Sequence, residues 1–118
     1  MVAIEQLAEA ALKGDGLLLR SLVQDLLRDK PQLSEYPPPK TDDARLLAAA
    51  ASLVELLAQR LYQPPPSWTK TVGALPEPIF LVKAAATMKR LRVLCETESP
   101  EPLRKRGFYA PPNFLEFA

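Results

Sequence analysis

Histidine is absent from the chain, which removes the commonest general base and the commonest metal ligand. Cys95 is the only cysteine, so an internal disulfide, a CxxC zinc or redox site and a Cys-His nucleophile pair are all excluded. Glycine is scarce at four residues, none in a GxGxxG or GxxxxGK pattern, and no phosphate-cradling loop follows. An excess of either charge is missing too. Fifteen Lys and Arg against fourteen Asp and Glu give +1, which offers no global attraction to nucleic acid or membrane. The longest uncharged run inside an expected helix, 46–54, falls well short of the ~20 residues that span a bilayer. Glu5 and Glu9 stand where a signal peptide would be basic. These absences predict a cytoplasmic protein of bacterial type that is not an enzyme, with no catalytic, cofactor-binding or metal-binding residues and no membrane partner.

What the chain does have is apolar periodicity and proline. Hydrophobic residues make up 47% and charged residues 25%, a globular balance. Of the 13 prolines, all but Pro31 fall in clusters (37–39, 64–66, 76 and 78, 100 and 102, 111–112), so they punctuate helices with stiff, extended connectors. Residues 41–62 read as the longest helix, with Thr41 as N-cap and Asp42 and Asp43 at the positive end of its dipole. Leu46, Ala50, Leu53, Val54, Leu57 and Leu61 share one stripe, Leu47, Ala49 and Leu56 widen it, and Ser52, Glu55 and Gln59 fall on the expected wet side. So broad an arc predicts a central helix.

Before it, 2–13 predicts an amphipathic helix closed by Gly14. Asp15 caps a second helix with Leu18, Leu19, Leu22, Val23 and Leu26 inward, forming an antiparallel hairpin. Pro31 opens a short turn ending near Tyr36. After the central helix, Trp68 is expected to close the core under the second proline triplet or, as the alternative, to anchor a ligand or partner, and 79–82 to be extended or to lead into a helix. Residues 87–97 read as a helix with Cys95 as a small buried hydrophobe. Ser99-Pro100-Glu101 has the pattern of a helix start, Gly107 of a stop, 108–110 of an extended piece, and Asn113 of a cap for a last turn holding Phe114, Leu115 and Phe117. The fold expected is all-α: one small domain, 1–118, a helical bundle of five to seven helices around the 41–62 helix. Within it an N-terminal hairpin (1–36) precedes a proline- and aromatic-rich half (63–118).

Between 83 and 106, seven basic residues (Lys83, Lys89, Arg90, Arg92, Arg104, Lys105, Arg106) oppose Glu96, Glu98 and Glu101, a local +4. Solvated helix faces, an acidic protein partner and nucleic-acid backbone all fit such a cluster. No tight helix-turn-helix with a polar reading helix is present. The acids at Asp42-Asp43 suit a helix start, whereas Glu96 and Glu98 flank a helix end, where carboxylates are unfavourable unless they face something else.

Pro66-Ser67-Trp68, Leu75-Pro76-Glu77-Pro78 and the run from Ser99 through Pro102, Leu103, Arg104, Lys105, Arg106 and Gly107 to Phe108-Tyr109 resemble a known arrangement. Over about 44–118 the chain is similar to the C-terminal module of bacterial antitoxin-like proteins encoded beside nucleotidyltransferase-like toxins. Many of those carry a helix-turn-helix domain in front, which residues 1–40 here do not match. The resemblance therefore implies partner binding and leaves autoregulation without support. It implies a non-enzymatic protein-binding module engaging a nucleotidyltransferase-type partner through Arg104, Lys105, Arg106, Phe108, Tyr109, Phe114 and Leu115. Aromatics and arginine are the residues enriched at interfaces, while the same tail aromatics can instead pack back across the chain's own core and fill the gaps between short helices. A nucleic-acid-binding regulator using the 83–106 cluster and a homodimeric structural protein are the alternative functions, and the free chain is expected to be a monomer or a homodimer.

Overall fold

The computed structural model describes residues 3–29 and 32–115; the expectations placed on Val2, Pro31 and Phe117 lie outside them. Helix α1 (Ile4–Lys13) starts where the Gln6 side chain turns back to accept the Ala3 N–H at 2.9 Å. It ends at Gly14, whose φ of 70° is left-handed and whose missing side chain leaves room for the Lys83 stem. Asp15 Oδ1 then accepts the Leu18 N–H at 3.1 Å and opens α2 (Gly16–Arg28), completing the expected hairpin. One position differs: Leu18, in the first turn of α2, is exposed.

Helix α3 (Ala44–Arg60) begins later than the sequence suggests. Asp43, not Thr41, is the N-cap, its carboxylate accepting the Arg45 N–H at 2.9 Å, while Thr41 Oγ1 accepts the Asp43 N–H at 3.0 Å. α3 touches α1, α5 and the 3₁₀ turns Leu33–Glu35 and Ser67–Thr71. Ala8, Ala10 and Ala11 of α1 and Ala48, Ala49, Ala50 and Ala51 of α3 are all buried, and small side chains of this kind let helix backbones approach closely. The wet side expected on α3 is largely absent. Ser52 is fully buried and donates to the Ala48 carbonyl at 2.9 Å; Glu55 is buried against the C-terminal half; only Gln59 of the three is exposed. Leu61, expected in the stripe, lies past the last helical residue and is exposed.

The second half is assembled from short pieces. α4 (Lys89–Glu98) and α5 (Glu101–Arg104) flank a corner at Ser99-Pro100. Ser99 does not cap α5. Its Oγ accepts the Ala110 N–H at 2.9 Å and reaches the Cys95 carbonyl, tying α4 to the returning chain. β1 (Ile79–Phe80) and β2 (Phe108–Tyr109) form a parallel pair in the register Ile79↔Phe108 and Phe80↔Tyr109. Helical residues are 59% and strand residues 4% of those described, so the fold is mostly helical with a minimal strand pair. The radius of gyration of 13.2 Å matches the about 13.5 Å expected for a compact chain of this length.

Trp68 is half-buried against the core, and its indole N–H donates to the Tyr36 carbonyl at 2.8 Å. Alongside it, the Leu33 N–H donates to Gln63 Oε1 at 3.0 Å, so the connectors on either side of α3 are joined by two hydrogen bonds. Trp68→Phe keeps most of the ring but leaves the Tyr36 carbonyl without this donor. The expected loss is about 1–2 kcal/mol, read by urea denaturation as a lower midpoint with an unchanged slope.

Candidate functional site

The segment 104–109 leaves α5, turns at Gly107 (φ 91°) and enters β2. On so short a path, neighbouring side chains point in different directions, and the three consecutive basic residues separate. Arg104 is exposed. Lys105 is also on the surface, but its Nζ lies 2.8 Å from Glu55 Oε1. Arg106 is turned inward and only 2% exposed.

Arg106 meets Glu55, itself only 9% exposed, in a two-pronged pair: Nη1 to Oε1 at 2.8 Å and Nη2 to Oε2 at 3.0 Å. The other donors reach backbone carbonyls, Nη2 to Thr69 at 2.7 Å, Nε to Val72 at 3.2 Å and Nη1 to Pro102 at 3.3 Å. All five guanidinium N–H groups are therefore used. Burial alone would raise the Glu55 pKa, but the hydrogen bonds from Arg106 and Lys105 outweigh it and hold the carboxyl at about 2.

The expectation that Arg106, Phe108 and Leu115 meet a partner is corrected by their positions. Arg106 is consumed by the ion pair. Phe108 is fully buried, because strand alternation sends it to the core as Tyr109 faces the other way. Leu115, with φ 66°, closes over the core. Phe114 is half-buried, and its carbonyl, like that of Pro112, accepts from the Arg60 guanidinium.

Tyr109 remains, and the strand register brings it a neighbour that sequence spacing does not reveal. The Phe80 and Tyr109 rings stack at a tilt of 31° with centroids 5.4 Å apart. The Arg92 guanidinium lies 5.3 Å from the Phe80 centroid, a cation–π arrangement, and its Nε donates to Glu96 Oε1 at 3.1 Å. Met88, one turn before Arg92, is exposed. The accessible cluster is thus two half-buried rings under an exposed arginine. Phe80 sits in a short apolar run with no readable period, and only the parallel pairing of β1 with β2 places it against Tyr109.

Other chemistry finds little to build on. Cys95 is fully buried, and burial, then the nearby Glu96, push its thiol pKa up, away from the thiolate a nucleophile needs. Among the described residues, no three His, Cys, Asp or Glu side chains gather to hold a metal ion. Likewise, among the described residues no helix is long and apolar enough to cross a membrane.

Glu55 has a depressed folded-state pKa, so its pairing stabilises the fold above the unfolded value of about 4.5, and that contribution is lost as the pH falls toward about 2. Glu55→Gln is expected to flatten the melting temperature across this window relative to the parent. Arg106→Met alone, which leaves the buried Glu55 carboxylate to Lys105 and the three backbone carbonyls without their donor, is expected to cost up to about 3–5 kcal/mol at pH 7. The double variant Glu55→Leu, Arg106→Met should recover part of that loss in thermal and urea denaturation.

Comparison with protein-family models, curated proteins and solved structures finds no match for this chain.

Proposed function

We propose that this chain, a small helical bundle organised around α3, is a non-enzymatic protein-binding module of antitoxin-like type whose partner is a nucleotidyltransferase-type protein. The docking surface is centred on Tyr109 with Phe80 and Arg92, and Arg104 adds charge from α5. The observation that carries this reading is the Phe80–Tyr109 ring pair under the Arg92 guanidinium.

Aromatic rings, arginine and methionine are the side chains that concentrate in interface cores. Here the rings are fixed by strand pairing at their backbones, so docking them costs little conformational entropy. The basic cluster, by contrast, is weakened as a nucleic-acid surface. Arg106 is buried on Glu55, Lys105 is paired with the same carboxylate, and Arg92 with Glu96.

Affinity purification from lysate of the source organism, with mass spectrometry, tests the reading when the full chain and an Arg92→Glu, Tyr109→Ala variant serve as parallel baits. The expected result is retention of a nucleotidyltransferase-type protein by the parent and at least tenfold less by the variant, with both baits equally folded by circular dichroism. Retention of no such protein, or equal retention by both baits, overturns the proposal. Self-association of the parent in light scattering, abolished in the variant, would reassign the same surface to a homodimer.

A further inference from the structure

The last turn of α3 carries an unusual residue. The Tyr62 N–H donates to the Gln59 carbonyl at 3.3 Å and the Gln63 N–H to the Ala58 carbonyl at 2.9 Å, the paired hydrogen bonds of a Schellman helix end. The position in that motif with left-handed backbone normally belongs to glycine. Here it is tyrosine, with φ 56° and a side chain 96% exposed. A bulky residue in this region strains the backbone, and packing within the chain gives nothing back.

Tyr62 stands at the rim of a groove of about 450 Å³ between the end of α3 and the α4–α5 corner. Leu56 and Pro100 supply apolar lining, and Glu98 and Glu101 supply two exposed carboxylates. Neither carboxylate has an ion-pair partner among the described residues. Glu98 closes α4, where the helix dipole disfavours a negative charge. Arg60 also lines the groove, but its guanidinium is directed to the carbonyls of Pro112 and Phe114.

We infer that this groove binds an arginine side chain from a basic peptide segment of a partner protein. The aliphatic stem of the arginine lies along Pro100, over the buried Leu56. Its guanidinium meets Glu98 and Glu101, with the Tyr62 ring able to cover its planar face. Charge complementarity selects this occupant: the groove offers an aromatic ring and two carboxylates that have no ion-pair partner among the described residues, and the Arg60 guanidinium in its wall is engaged by the Pro112 and Phe114 carbonyls. The site shares no residue with the Phe80–Arg92–Tyr109 surface, so it stands or falls separately from the proposal made for that surface.

The test is a nuclear magnetic resonance titration of the full ¹⁵N-labelled chain with a blocked ten-residue peptide of alanine, proline and leucine carrying two arginines. The control is the same peptide with citrulline in place of arginine, which keeps shape and removes charge. Saturable shifts confined to amides of 59–63 and 98–101 are expected with arginine, and at least tenfold weaker binding with citrulline. A Glu98→Gln, Glu101→Gln variant should weaken binding by a similar factor.

Tyr62→Gly is the sharper probe, because relief of the left-handed strain predicts an equal or higher melting temperature together with weaker peptide binding. No saturable shift, equal affinity for the citrulline peptide, or undiminished binding by Tyr62→Gly overturns the inference. Glycine at 62 lowering the melting temperature would also overturn it, since the tyrosine would then be holding the fold.

Discussion

The rest of the structure depends on the Arg106–Glu55 pair, and proline explains why such a pair is needed. Each proline removes a backbone N–H while keeping its carbonyl, so proline-rich connectors that run against a core carry more acceptors than donors. The side chains supply what the backbone lacks. Arg106 donates to Thr69, Val72 and Pro102 carbonyls, Trp68 to Tyr36, the Thr69 hydroxyl to Pro66, and Arg60 to Pro112 and Phe114. A guanidinium suits this task because it carries five donors in one plane and cannot lose its proton. Its charge then demands a buried carboxylate, which is why Glu55 lies on the inner side of α3. Among the described residues, no buried side-chain nitrogen or oxygen is left without a partner, the condition under which a buried ion pair is tolerable.

Much of the helical plan is legible in the sequence. The α1–α2 hairpin rests on local signals, Gly14 and Asp15 between two apolar stripes, and the structure has both residues acting as caps. Cys95 is buried and 108–109 is extended, as their surroundings suggest. The burial of Glu55 is the difference with the clearest cause. Periodicity assigns a polar residue to the solvent side unless its partner is known, and Glu55 meets Arg106 across 51 residues. Nothing in the neighbourhood of either one announces the other. Ser99 was misread for a related reason, since its sequence context is that of a helix cap while its hydroxyl serves Ala110.

The candidate surface was legible only in part. Arginine-rich and aromatic residues side by side at 104–109 suggest an interface, yet strand alternation and a tight turn distribute them between core and surface, and Phe108 and Arg106 go inside. What replaces them, Phe80 and Arg92, comes from elements distant in sequence and is joined to Tyr109 by a two-residue register. A run of similar residues is thus a weaker guide to a surface than the period of the backbone that carries it.

The same short elements limit how this chain can recognise anything. Strand addition requires a row of free backbone groups, and two residues in β1 and two in β2 offer almost none. The apolar face of α3 is buried in the chain's own core, so a helix-in-groove mode using it is closed as well. The route these elements leave open is through side chains held at fixed positions by connectors and corners. Tyr109 is held by strand pairing with its ring stacked on Phe80, while the hydrogen bonds at the end of α3 fix the backbone of Tyr62 and not its ring. A ring already held in place gives up little freedom on binding, so contact at Tyr109 would cost less than contact at the long exposed lysines and arginines.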